Sequence, residues 1–487
     1  MDHVPAIPAL EAPAAARAIS GDVYAFHDPC VLGTYLNLLV RAEAQAEAYE
    51  AACRARREID RLDAVFNWRN PASEISQLNR ATSFKASPDL FTVIAVAERW
   101  REQSHNAISG RLGQLLAAWR AAALTPEAAI HRAQQIANAT VTLDHSARTI
   151  TRPDPVHFDL DAIAKGYIID RALDATMTSA AGAMVDIGGD IACAGQGPHN
   201  GQWQIALPAP LSTFDNVPAH GAFSLASGAV ATSGCGPRDL HGSTTRSATI
   251  DPRTGWPVAH QRSATIVASS AMEADALATI ALVSDEAATR ACLASSPGAM
   301  GRITRPTGID WLNANEPQAL PIRYEQAPQD DYKSGWADGW IVNVTFTAPP
   351  KDMRRAIALR SPYVAIWVSD AERKTVRTLL LVGTFKEWQE YNHVWWRLNR
   401  GNTQKLLDGR SMSTRGAGIY KVFWDGVDDN GRPVKPGRYT LHVETSRERG
   451  EHTHRQLEID FSTMRVFDAE MPVHAESGGL HVSMSKF

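Results

Sequence analysis

Cysteine, long apolar runs and clustered positive charge are all scarce in this sequence. The five cysteines among 487 residues are scattered and form no CxxC pair. This spacing argues against a disulfide framework and against a cysteine zinc site, so we expect reduced thiols. No stretch approaches the ~18 apolar residues of a membrane-spanning helix. No long basic run accompanies the formal net charge of -4, so neither a membrane span nor a nucleic-acid partner is expected.

The length implies two or three domains, since one domain usually holds ~100–200 residues. In the first part of the chain, helix and strand patterns alternate, which indicates an α+β domain of packed layers. In the last part, short strand patterns are separated by Pro, Gly and Asn-Gly turns, which is typical of an all-β sandwich. We predict a loose leader at 1–20, an α+β domain at 21–320, a linker at 321–335, a β-sandwich at 336–470 and a tail at 471–487.

Hydrophobic periodicity predicts the elements that carry the motifs of the first domain. We expect strands at Val31–Val40 and Val156–Leu160 and helices at Arg41–Phe66, Gly166–Thr178 and Met272–Val283. Two of these elements hold the residues with the clearest chemistry.

Asp275 and Thr279 lie four residues apart in the predicted helix Met272–Val283. Residues at that spacing share one helix face, so a carboxylate and a hydroxyl point the same way. Hard oxygen ligands of this kind suit Mg²⁺ and a ligand that carries phosphate. The alternative is purely structural: Asp275 favours the helix dipole from the first turn, and Thr279 bonds back within the helix.

Six short motifs occur in one order along residues of about 25–320. They are Leu32-Gly33-Thr34, Phe66-Asn67-Trp68-Arg69 followed by Ser73-Glu74-Ile75 and Leu78-Asn79, Asp159-Leu160 with Ile163-Ala164-Lys165-Gly166-Tyr167, Ile187-Gly188-Gly189-Asp190, Ile250-Asp251-Pro252-Arg253-Thr254-Gly255, and Ala274-Asp275-Ala276-Leu277-Ala278-Thr279. Together they resemble the motifs of the FAD:protein FMN transferases, the ApbE family. This resemblance implies an α+β flavin-transferase domain and a reaction in which FMN passes from FAD to a Thr or Ser of an acceptor flavoprotein while AMP leaves.

The resemblance also implies a metal site. Asp275 and Thr279 would bind Mg²⁺ through their side chains, and Ala162 would bind it through its backbone carbonyl. Some members of the family carry a second acid directly before the final Thr, where this chain has Ala278. One negative charge fewer implies weaker binding of Mg²⁺.

FAD contacts follow from the resemblance as well. Asp159 and Lys165 would face the flavin dinucleotide, with a surface salt bridge as the alternative. Trp68 would stack on a ring of FAD or would simply pack in the core. The remaining expected contacts are Leu32, Ala107, Ile108, Ser109 and Ile250. Ser109 stands where the family has an acid, Asp161-Ala162 replaces a pair of glycines and narrows the pocket, and Gly188-Gly189-Asp190 is interpreted as a structural turn.

The most serious departure is Ala248, because the family has a His at this position, three residues before Asp251. A general base typically contributes ~10²–10⁴-fold in rate, so we expect slow or absent transfer. His241 is a weak candidate for a replacement and is otherwise an exposed loop residue. The alternatives are an FAD-binding module without catalysis, a pyrophosphatase that yields FMN and AMP, and a protein-interaction module with an empty pocket.

The C-terminal part has a resemblance of its own. Trp424-Asp425-Gly426 through Asp429-Asn430-Gly431 and Val434–Tyr439 resembles a signature of immunoglobulin-like domains in flagellar hook-cap proteins. The region also resembles an uncharacterised domain found fused to flavin transferases, which implies a fold and no function. Tyr391 and Trp395-Trp396 belong either to the core or to a surface for a protein partner.

The location of the protein has two opposing indications. The N-terminus as written shows no signal-peptide pattern, which favours the cytoplasm. The family that the motifs resemble is commonly periplasmic.

Overall fold

A computed structural model of the chain describes most of both predicted domains. The described residues are 18–20, 22–121, 124–207, 216, 221–234, 249–258, 262–305, 308–312, 322–326, 335–336, 340–348, 363–382, 391–399, 411–412, 418–446, 452–463, 465–472 and 479–486.

One large antiparallel sheet organises the N-terminal domain. Across the described residues its strands lie in the order β1 (Ala18–Ser20), β2 (Val23–Val31), β3 (Thr34–Arg41), β7 (Gly182–Ile187), β8 (Asp190–Gly195), β11 (Gly228–Gly234), β14 (Ser263–Ala268), β15 (Met300–Arg305) and β16 (Gly308–Leu312). Every residue of β14 is buried, which requires that both faces of the sheet are covered.

Helices cover one face of this sheet. The helices of the domain are α1 (Gln45–Phe66), α2 (Glu74–Leu78), α3 (Pro88–Gln103), α4 (Gly113–Arg120), α5 (Pro126–Asn138), α6 (Ala164–Met177), α7 (Ala271–Val283) and α8 (Glu286–Ala294). Apolar residues of α1, α3, α6 and α7 share the main core with one face of the sheet. This layer contains the two helices that carry the predicted metal and flavin contacts.

A second, smaller sheet covers the opposite face. It consists of β9 (Trp203–Leu207), β10 (Gly221–Leu225) and β17 (Ile322–Gln326). Trp203 and Phe223 pack there on Val267 of β14, whereas Ile266 of the same strand faces the helices. The remaining strands of the domain are short: β4 (Ser83–Lys85), β5 (Thr142–Asp144), β6 (Thr149–Thr151), β12 (Ile250–Asp251) and β13 (Trp256–Pro257).

The helices α6 and α7 meet at their N-termini and cap each other. The carboxylate of Asp170 in α6 accepts the backbone N–H groups of Ala271 at 2.7 Å and Met272 at 3.0 Å. In return, Asp275 in α7 accepts the backbone N–H of Gly166. Each acid therefore satisfies N–H groups that the first turn of the other helix leaves unpaired.

Two sheets with a common core form the C-terminal domain. One has the order β22 (Gly418–Trp424), β18 (Trp340–Ala348), β26 (Leu480–Lys486) and β25 (Phe467–Met471). The other has the order β21 (Ser411–Met412), β20 (Thr375–Val382), β19 (Tyr363–Ser369), β23 (Arg438–Ser446) and β24 (His452–Asp460). Apolar residues of both sheets pack in one cluster, so the prediction of a β-sandwich is confirmed.

The structure corrects several sequence-based boundaries. The segment predicted as one strand at Val31–Val40 is the end of β2, a turn and β3, because Leu32 and Gly33 adopt φ values of 50° and 77°. Arg41 belongs to β3, and α1 begins only at Gln45. Val156–Leu160 is no strand, since its backbone bonds to loops and to a side chain.

Two domain boundaries also change. Ile322–Gln326, predicted as linker, pairs with β10 as an edge strand of the small sheet. Leu480–Lys486, predicted as tail, lies between β18 and β25 inside the sandwich. Both strands are short segments that pair with strands far away in sequence.

The aromatic residues of the C-terminal domain belong largely to its core. A short helix, α9 (His393–Asn399), follows Tyr391. Its Trp395 is fully buried and donates its indole N–H to Thr378 Oγ1 at 3.2 Å, while Tyr391 stacks on Tyr363. These contacts favour the core interpretation over a surface for a partner.

Close packing of α6 on α7 predicts a severe effect of Gly166→Ala. An added Cβ would overlap the carbonyl oxygen of Ala271, and this backbone atom cannot move without disturbing the mutual caps. We expect the free energy of unfolding of the N-terminal domain to fall by about 2–3 kcal/mol. Gly479→Ala is the control, because a Cβ there has open space. Equal denaturation midpoints for the two variants in urea would contradict the packing argument.

A pH-sensitive stack lies in the C-terminal domain. The rings of His442 and His454 lie parallel to Trp367 at centroid distances of 4.6 and 5.3 Å. His442 lies 2.9 Å from the Ser369 hydroxyl and 3.1 Å from a ring nitrogen of His454. Burial, followed by the charges of His454 and Arg373, lowers the pKa of His442 from 6.5 to about 4.

A depressed pKa of a histidine predicts lower stability in acid. The unfolded chain takes up a proton near pH 6.5 and the folded domain only near pH 4, so the stabilisation is complete above 6.5 and is lost as pH falls toward 4. We expect the free energy of unfolding of the sandwich to fall by about 1–2 kcal/mol between pH 7.5 and 5. Urea titrations at both pH values measure it. His442→Gln should show a shallower dependence, and an unchanged slope in that variant would exclude His442 as its source.

Candidate functional site

The motif Ser73–Asn79 positions two parts of the candidate site, Trp68 and the segment that contains Asp159. Ser73 caps α2 and bonds to the Ser76 hydroxyl, and Ser76 Oγ donates to the backbone carbonyl of Trp68 at 3.2 Å. Asn79 donates its amide N–H to the carbonyl of Phe158 at 2.8 Å and accepts the N–H of Phe158 at 2.7 Å. The motif thus holds Trp68 and the segment that leads into Asp159.

The segment Asp159–Ile163 forms a turn that enters α6, buried at both ends and exposed at Asp161. Asp159 is buried, its backbone N–H donates to the Gly110 carbonyl at 2.8 Å, and its carboxylate accepts the N–H of Asp161 at 3.2 Å. The turn therefore lies directly beside the segment that contains Ser109. Two of the predicted flavin contacts, Asp159 and Ser109, are brought into one neighbourhood.

Lys165 and Asp190 form an ion pair at the start of α6. Lys165 Nζ lies 2.5 Å from Asp190 Oδ2, and the aspartate side chain is only 3% exposed. Asp190 follows Gly188 and Gly189, which take φ values of 64° and 95°, a conformation that favours glycine. The predicted structural turn thus also delivers a buried acid to the site.

This glycine turn lies beside the turn that contains Leu32. A Cβ on Gly188 would come within 2.8 Å of the Thr34 side chain, and β3 pairs with β7 directly below. Leu32 packs against the main core at this position. The two turns lie next to each other at the same end of neighbouring strands of the large sheet.

Asp275 is the most strongly perturbed acid of the site. It is buried, and its Oδ2 has no hydrogen-bond partner among the residues that the structure describes. Burial, followed by the negative charge of Asp190, raises the pKa of Asp275 well above its ordinary value, against the opposing charge of Lys165. A buried acid with an unpaired oxygen is a candidate for a functional-site residue.

Thr279 lies one turn after Asp275 on the same helix. It is the residue of the second half of α7 that is not buried, and its hydroxyl lies 3.3 Å from the hydroxyl of Ser233 at the end of β11. The prediction that Asp275 and Thr279 share one helix face is confirmed by the bounds of α7.

The donor set fits a hard divalent cation. Asp190 and Asp275 bring two buried carboxylates to one amine, so the site carries excess negative charge, and one carboxylate oxygen is unpaired. No cluster of three or more His, Cys, Asp or Glu residues able to hold a metal occurs in the described part of the chain. The expected ligands are instead one carboxylate, one hydroxyl and the carbonyl of Ala162, which is the oxygen chemistry that suits Mg²⁺.

Trp68 lies at the edge of this neighbourhood. Its indole N–H donates to Asp161 Oδ2 at 3.3 Å, and the guanidinium of Arg69 lies 4.2 Å from the centre of its ring. The side chain is partly exposed, which makes an aromatic wall available to a ligand.

Other predicted contacts are not brought to the site by their side chains. Ile250 packs with Leu112, Leu115 and Trp256 in a separate cluster. Ala107 and Ile108 are buried, so only their backbone could face a ligand.

Ala248 and His241 lie outside the described residues, so the missing family histidine stays a sequence-based prediction. The following turn is described: Arg253 pairs with Asp251 at 2.8 Å, and Asn106 donates to the carbonyl of Pro252 at 3.5 Å.

The sequence analysis assigned no site role to Ser233 or Asn79 and placed Asp190 only in a structural turn. No pattern distinguishes Ser233, since its contact with Thr279 joins residues 46 positions apart. Asn79 and Asp190 stand inside motifs of the resemblance, which was the available signal.

Comparison with known proteins decides the family. The model of the ApbE family matches residues 32–303, more than half of the chain. The chain belongs to the ApbE family. Residues 343–476 match a second family, described as a predicted periplasmic protein (DUF2271).

Relatives of this ApbE protein carry one name. It is 29% identical over 231 residues to an FAD:protein FMN transferase of Haemophilus influenzae. The aligned region covers 42% of this chain and 64% of that relative. The match thus spans less than two thirds of that relative. It is 30% identical over 249 residues to an FAD:protein FMN transferase of Vibrio cholerae, covering 47% and 73%.

Solved structures agree on the fold. The ApbE protein of Thermotoga maritima matches with a TM-score of 0.53 and 25% identity over 60% of this chain and 97% of that one. The flavin transferase ApbE of Vibrio cholerae matches with a TM-score of 0.51 and 22% identity, over 61% and 99%. The predicted α+β flavin-transferase fold is therefore confirmed. None of the described helices combines the length and apolar character needed to cross a bilayer.

The double hydrogen bond of Asn79 predicts a structural cost for Asn79→Ala. This change leaves the N–H and carbonyl of Phe158 without their partner, which costs about 1–3 kcal/mol when the groups are buried. We expect a lower thermal midpoint together with faster proteolysis at the Asp159–Ile163 turn. Gln77→Ala is the matched control, because the side chain of Gln77 is exposed and donates to the Ala72 carbonyl at the surface. Identical melting curves for the two variants would remove Asn79 from this role.

Proposed function

We propose that the N-terminal domain is an FAD:protein FMN transferase. The relatives bear that name, and the buried Asp275 with its unpaired oxygen carries the proposal. A buried acid in this position either keeps its proton or binds a cation. In this proposal it binds a cation, which together with Lys165 gives a site for a diphosphate.

In this proposal Asp275, Thr279 and the carbonyl of Ala162 hold Mg²⁺. When bound, Mg²⁺ supplies charge neutralisation for the diphosphate of FAD. Asp190 holds the Lys165 amine at the first turn of α6. In this proposal the amine also neutralises charge on the diphosphate of FAD. Asp159, Leu32, Trp68, Lys165 and the backbone of 107–109 and 250 are the proposed contacts to FAD.

The transfer itself exchanges the phosphoanhydride bond of FAD for a phosphoester bond on the acceptor. The hydroxyl oxygen of an acceptor Thr or Ser bonds to the phosphorus on the FMN side, the bond to the AMP oxygen breaks, and AMP leaves. The hydroxyl proton must pass to a base. Ala248 has no group that can accept it, so we propose that transfer is slow, by ~10²–10⁴-fold for a lost general base.

The same substitution favours a second candidate. An FAD-binding module, or a pyrophosphatase that uses water to form FMN and AMP, needs no acceptor hydroxyl. FAD bound without AMP release would favour the module, and AMP release without acceptor would favour the pyrophosphatase.

For location, we propose the periplasm. The C-terminal match is to a family described as periplasmic, which outweighs the cytoplasmic interpretation of the N-terminus. Fractionation of expressing cells, with marker enzymes for both compartments, decides between them.

Removal of the Asp275 carboxylate tests the proposed site. We expect Asp275→Asn to lose Mg²⁺-dependent binding of FAD and to lower any transfer or AMP release by roughly 10²–10³-fold, several kcal/mol of electrostatic stabilisation. The assay measures AMP by chromatography and the flavin fluorescence of an acceptor protein on a denaturing gel. Calorimetry with Mg²⁺ and FAD reports binding separately.

The matched control is Asp174→Asn, which removes an exposed acid of α6 that pairs with Arg171. It should bind Mg²⁺ and FAD like the wild type. If Asp275→Asn behaves the same way, the proposed metal site is wrong. A fast Mg²⁺-dependent transfer by the wild type would instead overturn the claim that Ala248 slows it.

A further inference from the structure

We propose that Asp161 is a positioning residue that fixes the ring of Trp68 as the wall on which a planar ring of FAD stacks. This inference rests on the proposed function for its ligand, but its first test needs no ligand. It concerns a residue of this chain where the resemblance places a glycine, which has no side chain to accept a hydrogen bond.

The geometry holds Trp68 from three directions. Its indole N–H donates to Asp161 Oδ2 at 3.3 Å, its backbone carbonyl accepts from Ser76 at 3.2 Å, and the Arg69 guanidinium covers its ring at 4.2 Å. The contact with Asp161 joins positions 93 residues apart. It is therefore a tertiary contact, and it sets the rotation of the indole.

Asp161 itself is anchored toward the metal end of the site. Its backbone N–H donates to Asp159 at 3.2 Å, and it directly precedes Ala162, whose carbonyl is a proposed ligand. Its negative charge also acts on Asp275. A single exposed carboxylate thus links the aromatic wall to the turn that enters α6.

Fixing the ring lowers the entropy lost when a flat ligand stacks on it. The consequence is tighter binding of FAD without a change in the chemical step. Asp161→Gly should therefore raise the dissociation constant and the KM for FAD roughly 3–10-fold, the range expected for one hydrogen bond of ordinary net strength, and leave kcat largely unaffected.

The first test observes the indole without ligand. In protein labelled with 5-fluorotryptophan, the fluorine resonance of Trp68 is assigned by its absence in Trp68→Phe. We expect this resonance to shift and broaden in Asp161→Gly and to change less in Asp161→Asn, whose amide oxygen can still accept the N–H. An unchanged resonance in Asp161→Gly would overturn the proposal.

The second test is a double-mutant cycle on FAD affinity, measured by calorimetry. If Asp161 acts through Trp68, then Asp161→Gly has little further effect in a Trp68→Phe background, and Asp161→Asn loses less affinity than Asp161→Gly. Fully additive losses, or equal losses for Asn and Gly, would overturn the positioning role. Parallel titrations with FMN and AMP show which ring stacks, because the weakening follows the half that contacts Trp68.

The two proposals fail separately. A wild type that binds no FAD would refute the proposed function. The fluorine spectra would still show whether Asp161 fixes the orientation of the Trp68 ring.

Discussion

The meeting of α6 and α7 at their N-termini is the constraint on which the candidate site depends. Gly166 permits the approach, and Asp170 and Asp275 exchange caps across it. This contact brings two positive helix ends together. It also commits one oxygen of Asp275 to structure and leaves the other without a partner in the described part of the chain. The same aspartate thus serves the fold and the site.

The distribution of charge around Asp275 follows from this arrangement of the two helices. Asp190 reaches the helix ends from the glycine turn before β8 and pairs with Lys165, so Asp275 gains a nearby negative charge instead of a cation of its own. In a buried environment such an acid either keeps its proton or binds a cation. In the proposed site the hydroxyl of Thr279 and the carbonyl of Ala162 would add neutral oxygens, which is the ligand chemistry of a hard divalent cation.

Local patterns predicted the local features. The helix Met272–Val283 was predicted from its local sequence and the shared face of Asp275 and Thr279 from their spacing of four residues, and the observed α7 begins only one residue earlier. The prediction of one strand at Val31–Val40 was wrong because Leu32 and Gly33 take positive φ values and form a turn between β2 and β3. Contacts between distant positions, such as Ser233 with Thr279, Trp68 with Asp161 and Asn79 with Phe158, depend on how layers pack. No local pattern encodes them, and the family motifs indicated only that their residues matter.

The two domains are joined on the side away from this site. The amide of Asn216, between β9 and β10, donates to the carbonyl of Phe423 at 2.6 Å and accepts its N–H at 3.0 Å. Phe423 belongs to β22, an edge strand of the sandwich, so the side chain occupies backbone groups that an edge leaves open. The strands β9, β10 and β17 cover the face of the large sheet opposite α6 and α7. The contact between Asn216 and Phe423 therefore lies on that opposite side of the N-terminal domain. Asn216 and Phe423 thus connect the two domains on the face of the large sheet that lies opposite the contact between α6 and α7.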